Sequence, residues 1–129
     1  MKDLYYYKAT VVKVKDGDTI VCDIDVGFGM SYNNVTCRFN GYNAPESRGR
    51  EKKFGKIATQ AIKVLEGNEI IIKTTKTGSF GRWLVDIYIP HNGRHYNLID
   101  RLVKMGYGVR WDGKGKRPKF DLRRKYPSN

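Results

Sequence analysis

Arg38 and Glu46 bracket the run RFNGYNAPE, in which an alternating stretch meets a glycine, then a proline, and delivers a carboxylate at its far end. Val35, Cys37 and Phe39 fall on one face of that stretch, and Thr36, Arg38 and Asn40 on the other. Two further pieces carry matching chemistry: Asp16-Gly17-Asp18, a tight turn with a second carboxylate, and Gly81-Arg82, an arginine that opens a strand. Arginines held beside carboxylates suit a phosphodiester and a metal ion, because guanidiniums fork onto phosphate oxygens and a hard cation takes oxygen ligands. Taken singly, each piece also has a plain structural reading as a hairpin turn, a surface ion pair or a strand-edge charge.

The composition favours a polyanionic partner. Lys and Arg number 25 against 13 Asp and Glu, a formal charge of +12, with a pI near 9.8. At 129 residues and 40% hydrophobic content, the chain has the length of one domain, 1–129, with a modest core. No apolar run approaches the roughly 18 residues of a bilayer span, and the opening MKDLYYYKATVV has no signal-peptide core. The expectation is an intracellular, cytoplasmic monomer with no membrane partner. Cys22 and Cys37 match no zinc spacing and share an inward parity, so free buried thiols on adjacent strands are expected. His91 and His95 lie around a turn and read as surface residues.

The elements that must position these residues follow from periodicity. Ala9 to Val14 is a short strand, closed by the Asp16-Gly17-Asp18 turn. Thr19 to Val26 alternates, with Ile20, Cys22, Ile24 and Val26 inward and Asp18 at the end of that face, where a carboxylate can reach a cleft. Gly27 to Asn34 reads as a hairpin loop whose Phe28, Met30 and Tyr32 either stack on bases or pin the loop. After Glu46 the period becomes helical: Phe54, Ile57, Ala58, Ala61, Ile62 and Leu65 share a face, and Gly67 stands where a C′ residue belongs. Glu69 to Thr74 and Arg82 to Ile89 are strands, the second stopping at Pro90 after a Gly78 to Gly81 turn. Asn97 can cap a second helix ending before Gly106. The order β-β-β-α-β-β-α predicts an α+β, mainly β chain: a five-stranded Greek-key barrel of the OB type with two to three α-helices.

With DGDT at Asp16 to Thr19, RFNGYNAPE, Gly81-Arg82 before an apolar strand and NLIDRLVKMGYG from Asn97, the chain resembles the staphylococcal (thermonuclease) nuclease family. The resemblance runs from about Ala9 to Trp111, in the family's order and spacing. It implies an OB-type barrel that hydrolyses DNA and RNA with little sequence preference, using one calcium ion. It also implies that Asp18, Asn43 and Ala44 surround the metal, the last through its backbone carbonyl. Arg38 would bind phosphate, Glu46 activate the attacking water, and Arg82 stabilise the transition state and leaving group. Asn43 stands where the family has an aspartate, which removes a full negative charge from the site.

Three outcomes follow from Asn43: a nuclease with looser metal binding, a site where Asp16 or Asp86 restores the charge, or a metal-poor module that only binds nucleic acid. Single-stranded or breathing DNA and RNA are the expected partners in each. Residues 112–129 form a basic tail or a short helix at about Lys119 to Lys125. Lys114, Lys116 and Arg117, with Trp111 just before them, are candidate nucleic-acid contacts, since basic residues interleaved with aromatics suit a backbone and its bases. The resemblance adds Tyr107, because the family places nucleotide-contacting tyrosines just after the second helix, where Tyr107 and Trp111 lie. A solvated tail is the competing reading.

Overall fold

A closed barrel follows from one parallel pairing. In the computed structural model, described over residues 5–77 and 82–120, β1 (Tyr6–Asp16), β2 (Thr19–Gly27) and β3 (Met30–Phe39) form an antiparallel meander, and β4 (Tyr42–Asn43) follows at once. The helix α1 (Lys52–Ile62) then leads to β5 (Glu69–Thr77), which pairs with β1, and to β6 (Trp83–His91), which pairs with β5. The barrel closes where β6 meets β3 in parallel, with Arg38 opposite Leu84 and Phe39 opposite Val85. The strand order around it, β1-β2-β3-β6-β5, is that of an OB fold, and the chain is mainly β with two α-helices.

The alternation read from the sequence explains the interior. Ile20, Cys22 and Ile24 on β2, Cys37 and Phe39 on β3, Ile70 and Ile72 on β5, and Val85 and Ile87 on β6 are all buried in one core. Phe54, Ala58 and Ile62, spaced by one turn, bury the apolar face of α1 against it. Cys22 lies opposite Val35 and Cys37 opposite Ile20, so the two thiols are diagonal neighbours, and both are free. A hydrogen bond with Cys37, then burial, pushes the Cys22 thiol well above its ordinary value, which makes it a core residue and not a nucleophile.

Local turn chemistry accounts for the differences from the sequence reading. The β2–β3 connection is not a loop from 27 to 34 but a two-residue turn at Phe28 and Gly29, both at positive φ as a primed turn demands. β3 therefore starts at Met30, and Asn34, also at positive φ, takes up a register shift while its N–H donates to Asp23 Oδ1 at 2.8 Å. The first helix ends as α at Ile62 and tightens to a 3₁₀ turn over Lys63–Leu65. Gly67, at positive φ, donates to the Val11 carbonyl at a bulge in β1. A short strand absent from the sequence reading, β7 (Arg94–Asn97), pairs with β6 across an Asn92-Gly93 turn, so β6 runs on past Pro90 to His91. His91 and His95 are exposed on this hairpin.

The second helix, α2 (Leu98–Lys104), is capped by Asn97, whose Oδ1 accepts from the Asp100 N–H at 3.1 Å. After it, β8 (Val109–Arg110) pairs with β4, and the Trp111 N–H donates to the Gly41 carbonyl at 3.0 Å. The chain is thereby led back across the mouth of the barrel. Lys119 and Phe120 are not helical; the rest of the expected terminal helix, and the Gly78 to Gly81 turn, lie outside the described residues. Among the described residues no helix is long and apolar enough to cross a membrane.

Gly108 fits this return because a Cβ there would run into the Tyr42 ring. Gly108→Ala is expected to cost about 1–3 kcal/mol by overpacking, read as a lower midpoint in urea denaturation with an unchanged slope.

Candidate active site

Asp18 is the residue on which the cleft is assembled. It is 7% exposed, and its carboxylate accepts from the Thr19 hydroxyl at 3.0 Å and from the Ala44 N–H at 3.0 Å, and faces Arg38 Nη1 at 3.3 Å. A buried carboxylate needs this degree of pairing to remain charged. Arg38 Nη2 reaches the Tyr42 carbonyl at 3.4 Å, and the Phe39 N–H donates to the Asp18 carbonyl at 2.9 Å. The start of β2, the end of β3 and the segment after β4 are thus tied to one another at a single corner of the barrel.

An open cleft of about 1170 Å³ lies over that corner. Asp16, Asp18, Arg38, Asn43, Ala44, Glu46, Arg82, Trp111, Lys114 and Arg117 all line it, brought together from both ends of the chain. Glu46 is exposed, while Asn43 and Ala44 beside it are buried. Asp86 does not line the cleft itself, but its carboxylate accepts from Nδ2 of Asn40, a lining residue, at 3.4 Å, whereas Asp16 lies within the lining. Tyr107 is 7% exposed and packs in the core, so its ring is not presented to the cleft. Lys116 is exposed but does not line the cleft. Trp111 and Lys114 form one rim, joined by Trp111 Nε1 donating to the Lys114 carbonyl at 2.8 Å.

Contacts that the sequence reading does not foresee hold the Glu46 segment, one of them from Arg117, which it reads as a nucleic-acid contact. Arg117 makes a two-pronged ion pair with Glu51, Nη1 to Oε2 at 3.0 Å and Nη2 to Oε1 at 2.8 Å, and Nη2 also donates to the Ala44 carbonyl at 3.3 Å. Glu51 Oε1 accepts the Glu46 N–H at 2.9 Å. Glu51 is also the residue preceding α1, yet its side chain makes no helix cap, being spent on these partners. Gly55, in the first turns of α1, lies so close beneath that a Cβ would strike the Glu46 carbonyl and come within 2.6 Å of the Ser47 nitrogen. A glycine on the buried face of a helical pattern is a detectable signal of close backbone approach. The Glu51–Arg117 pair spans 66 residues and leaves no local signal at all.

The donor chemistry bears on whether a cation fits. Asp18, Asn43, Ala44 and Glu46 offer oxygens, the ligand type a hard divalent ion takes. Asn43 is 3% exposed, and its Nδ2 has no hydrogen-bond partner among the described residues; a half-turn of the amide puts Oδ1 in its place. Among the described residues no group of three His, Cys, Asp or Glu side chains comes together. The set fits a hard divalent ion in donor type, with a low charge count.

Comparison with known proteins then becomes decisive for the family. A family model described as Staphylococcal nuclease homologue matches residues 36–125. The chain belongs to that family. The match begins inside β3, so Asp18 lies outside it and is tied to the matched region by its contacts with Arg38, Phe39 and Ala44. No curated protein matches the chain by sequence. Among solved structures, the human TDRD1 extended Tudor domain, in complex with a symmetrically dimethylated peptide, is similar at 12% identity and a TM-score of 0.45. That likeness covers 81% of this chain and 58% of that one.

Two outcomes are expected from this support network. Gly55→Ala should push the Glu46 segment outward and lower stability by about 1–3 kcal/mol, seen as a reduced thermal midpoint. The hydrogen bonds from Arg117 hold the Glu51 carboxyl below its ordinary value of 4.5. Because the folded value is the lower one, the stability it contributes is full above pH 4.5 and is lost as pH falls through the folded value. Glu51→Gln should therefore flatten the acid limb of a stability-versus-pH curve while lowering stability at neutral pH.

Proposed function

We propose that this protein is a phosphodiester hydrolase that cleaves single-stranded or breathing DNA and RNA with little sequence preference. The observation that supports the reading best is the meeting of Arg38, Arg82, Glu46 and Asp18 in one open cleft of a chain carrying +12. These four come from three stretches of the sequence, Asp18 from the first turn, Arg38 and Glu46 from the ends of one run, and Arg82 from just before β6, and the fold gathers them in one place. Trp111 and Lys114 on the rim offer a base platform and a backbone charge, which suit an unstacked single strand.

In the chemistry proposed, Arg38 and Arg82 hold the phosphate oxygens and gain strength as negative charge gathers on them in the pentacoordinate transition state. Glu46 takes the proton from water as its oxygen bonds to phosphorus, and the ester P–O bond opposite breaks. Arg82 neutralises the departing oxygen, which then takes a proton from solvent. Arg38 is kept in place by Asp18 and the Tyr42 carbonyl, so it does not have to be ordered by the substrate. Asp18, Asn43 and the Ala44 carbonyl, with Glu46 alongside, would hold a calcium ion, whose contribution when bound is to neutralise phosphate charge and orient water.

The alternative, a nucleic-acid-binding module of the same fold, is favoured by Asn43 standing as the amide beside Asp18 and by the guanidinium already on the Ala44 carbonyl. Cleavage of a fluorescent single-stranded DNA across a calcium titration separates the two. Activity that chelator abolishes is expected, with Glu46→Gln down by about 10² to 10⁴ and Arg82→Ala down by about 10² to 10³. Asn43→Asp should shift the calcium requirement to lower concentration. Salt-sensitive binding without cleavage at any calcium level would establish the binding module instead.

A further inference from the structure

Arg117 brings a permanent positive charge to the wall where a divalent ion would find its oxygens. Its Nη2 lies 3.3 Å from the Ala44 carbonyl, and the same guanidinium grips both oxygens of Glu51. Glu51 in turn accepts the Glu46 N–H, so one side chain secures both ends of the Ala44–Glu46 segment. Its position is determined from behind: the guanidinium lies over the Phe120 ring at 5.7 Å, and the strand leading to it is hydrogen-bonded to Gly41. The carboxylates of Glu51, Glu46 and Asp18 all favour its charged form.

The charges around the cleft give this placement a consequence. Asp18 is already matched by Arg38, and Asn43 is neutral, so the negative charge left for a second cation is that of Asp16 and Glu46 in the cleft lining. A guanidinium and a calcium ion both seek the Ala44 carbonyl, and two cations on one carbonyl repel each other strongly in a partly buried site. We infer that Arg117 is an internal cation that competes with the divalent ion for the Ala44 carbonyl, and that it holds the Glu46 segment in place when no ion is bound. Arg117 is then a positioning residue for Glu46 and a brake on ion affinity, and not a contact for nucleic acid. The competition rests on the calcium reading of the site; the hold on Glu46 does not.

Terbium alone is a suitable probe, since Trp111 lines the same cleft and can sensitise its luminescence, and calcium can then be titrated in to displace it. The wild type, Arg117→Gln, Arg117→Lys and Asn43→Asp are compared, with hydrogen exchange at the Glu46 amide followed in the ion-free proteins. Arg117→Gln is expected to bind the ion roughly tenfold more tightly than wild type, because a neighbouring positive charge is gone. Arg117→Lys, which keeps the charge but not the fork, should stay close to wild type in ion affinity. The Glu46 amide should exchange faster in both variants, since Glu51 has lost its two-pronged anchor. If the glutamine variant does not fold, Arg117→Met, which keeps the stem against Phe120, takes its place.

Equal or weaker ion binding in the neutral variant, beside a wild type that does bind, overturns the competition and leaves the calcium reading standing. No ion binding in wild type or in Asn43→Asp overturns the calcium reading and the competition together. Unchanged exchange at the Glu46 amide overturns the hold on that segment.

Discussion

A single buried carboxylate organises this molecule. Asp18 sits at the first residue before β2, where the inward face of the strand ends, and is shielded from solvent almost completely. Its charge is tolerable only because a hydroxyl, a backbone N–H and a guanidinium are directed at it. The hydroxyl is that of the neighbouring Thr19, but the guanidinium and the backbone N–H come from the end of β3 and the segment after β4. Satisfying one charge therefore sets the position of Arg38 on β3 and of the Ala44 backbone after β4, and with them the floor of the cleft.

The Glu46 segment is held by contacts of a different kind. Gly55 lets α1 press its backbone against the Glu46 carbonyl, and Gly17 packs so close to α1 that a Cβ there would meet Ala58 Cβ at 2.7 Å and Ala44 Cβ at 2.9 Å. These are close-packed surfaces with no room to shift, so the helix acts as a rigid platform. From the other side, Arg117 and Glu51 clamp the same segment by charge. Packing beneath and an ion pair above together give the exposed Glu46 carboxylate a defined backbone.

Much of this was legible in the sequence, and for identifiable reasons. Period-two alternation is enforced by the pleat, so the inward residues of β2 and β3 can be named from residue types and spacing, whereas β5 and β6 are legible only as strands. Helical periodicity does the same for α1, and Asn97 announces the start of α2 through its side-chain chemistry. Phe28-Gly29 is harder to read, because a phenylalanine at positive φ is tolerated only when the strands on both sides insist on a two-residue turn. The strand β7 escapes notice because its four residues, Arg94–Asn97, are too short and too polar to show a pattern.

Residue type and short-range spacing suffice for the strand faces, the helix faces and the four chemical groups at Asp18, Arg38, Glu46 and Arg82. Which neighbours act on those groups was settled by the folded chain. Tyr107, one residue among several candidates near the cleft by sequence, turned inward to the core, while Arg117, read as part of a basic tail, became the clamp on Glu51 and Ala44. The reason is physical: a side chain's partner across 66 residues is set by where barrel closure and the β4–β8 pairing bring the chain back, and no local preference encodes that.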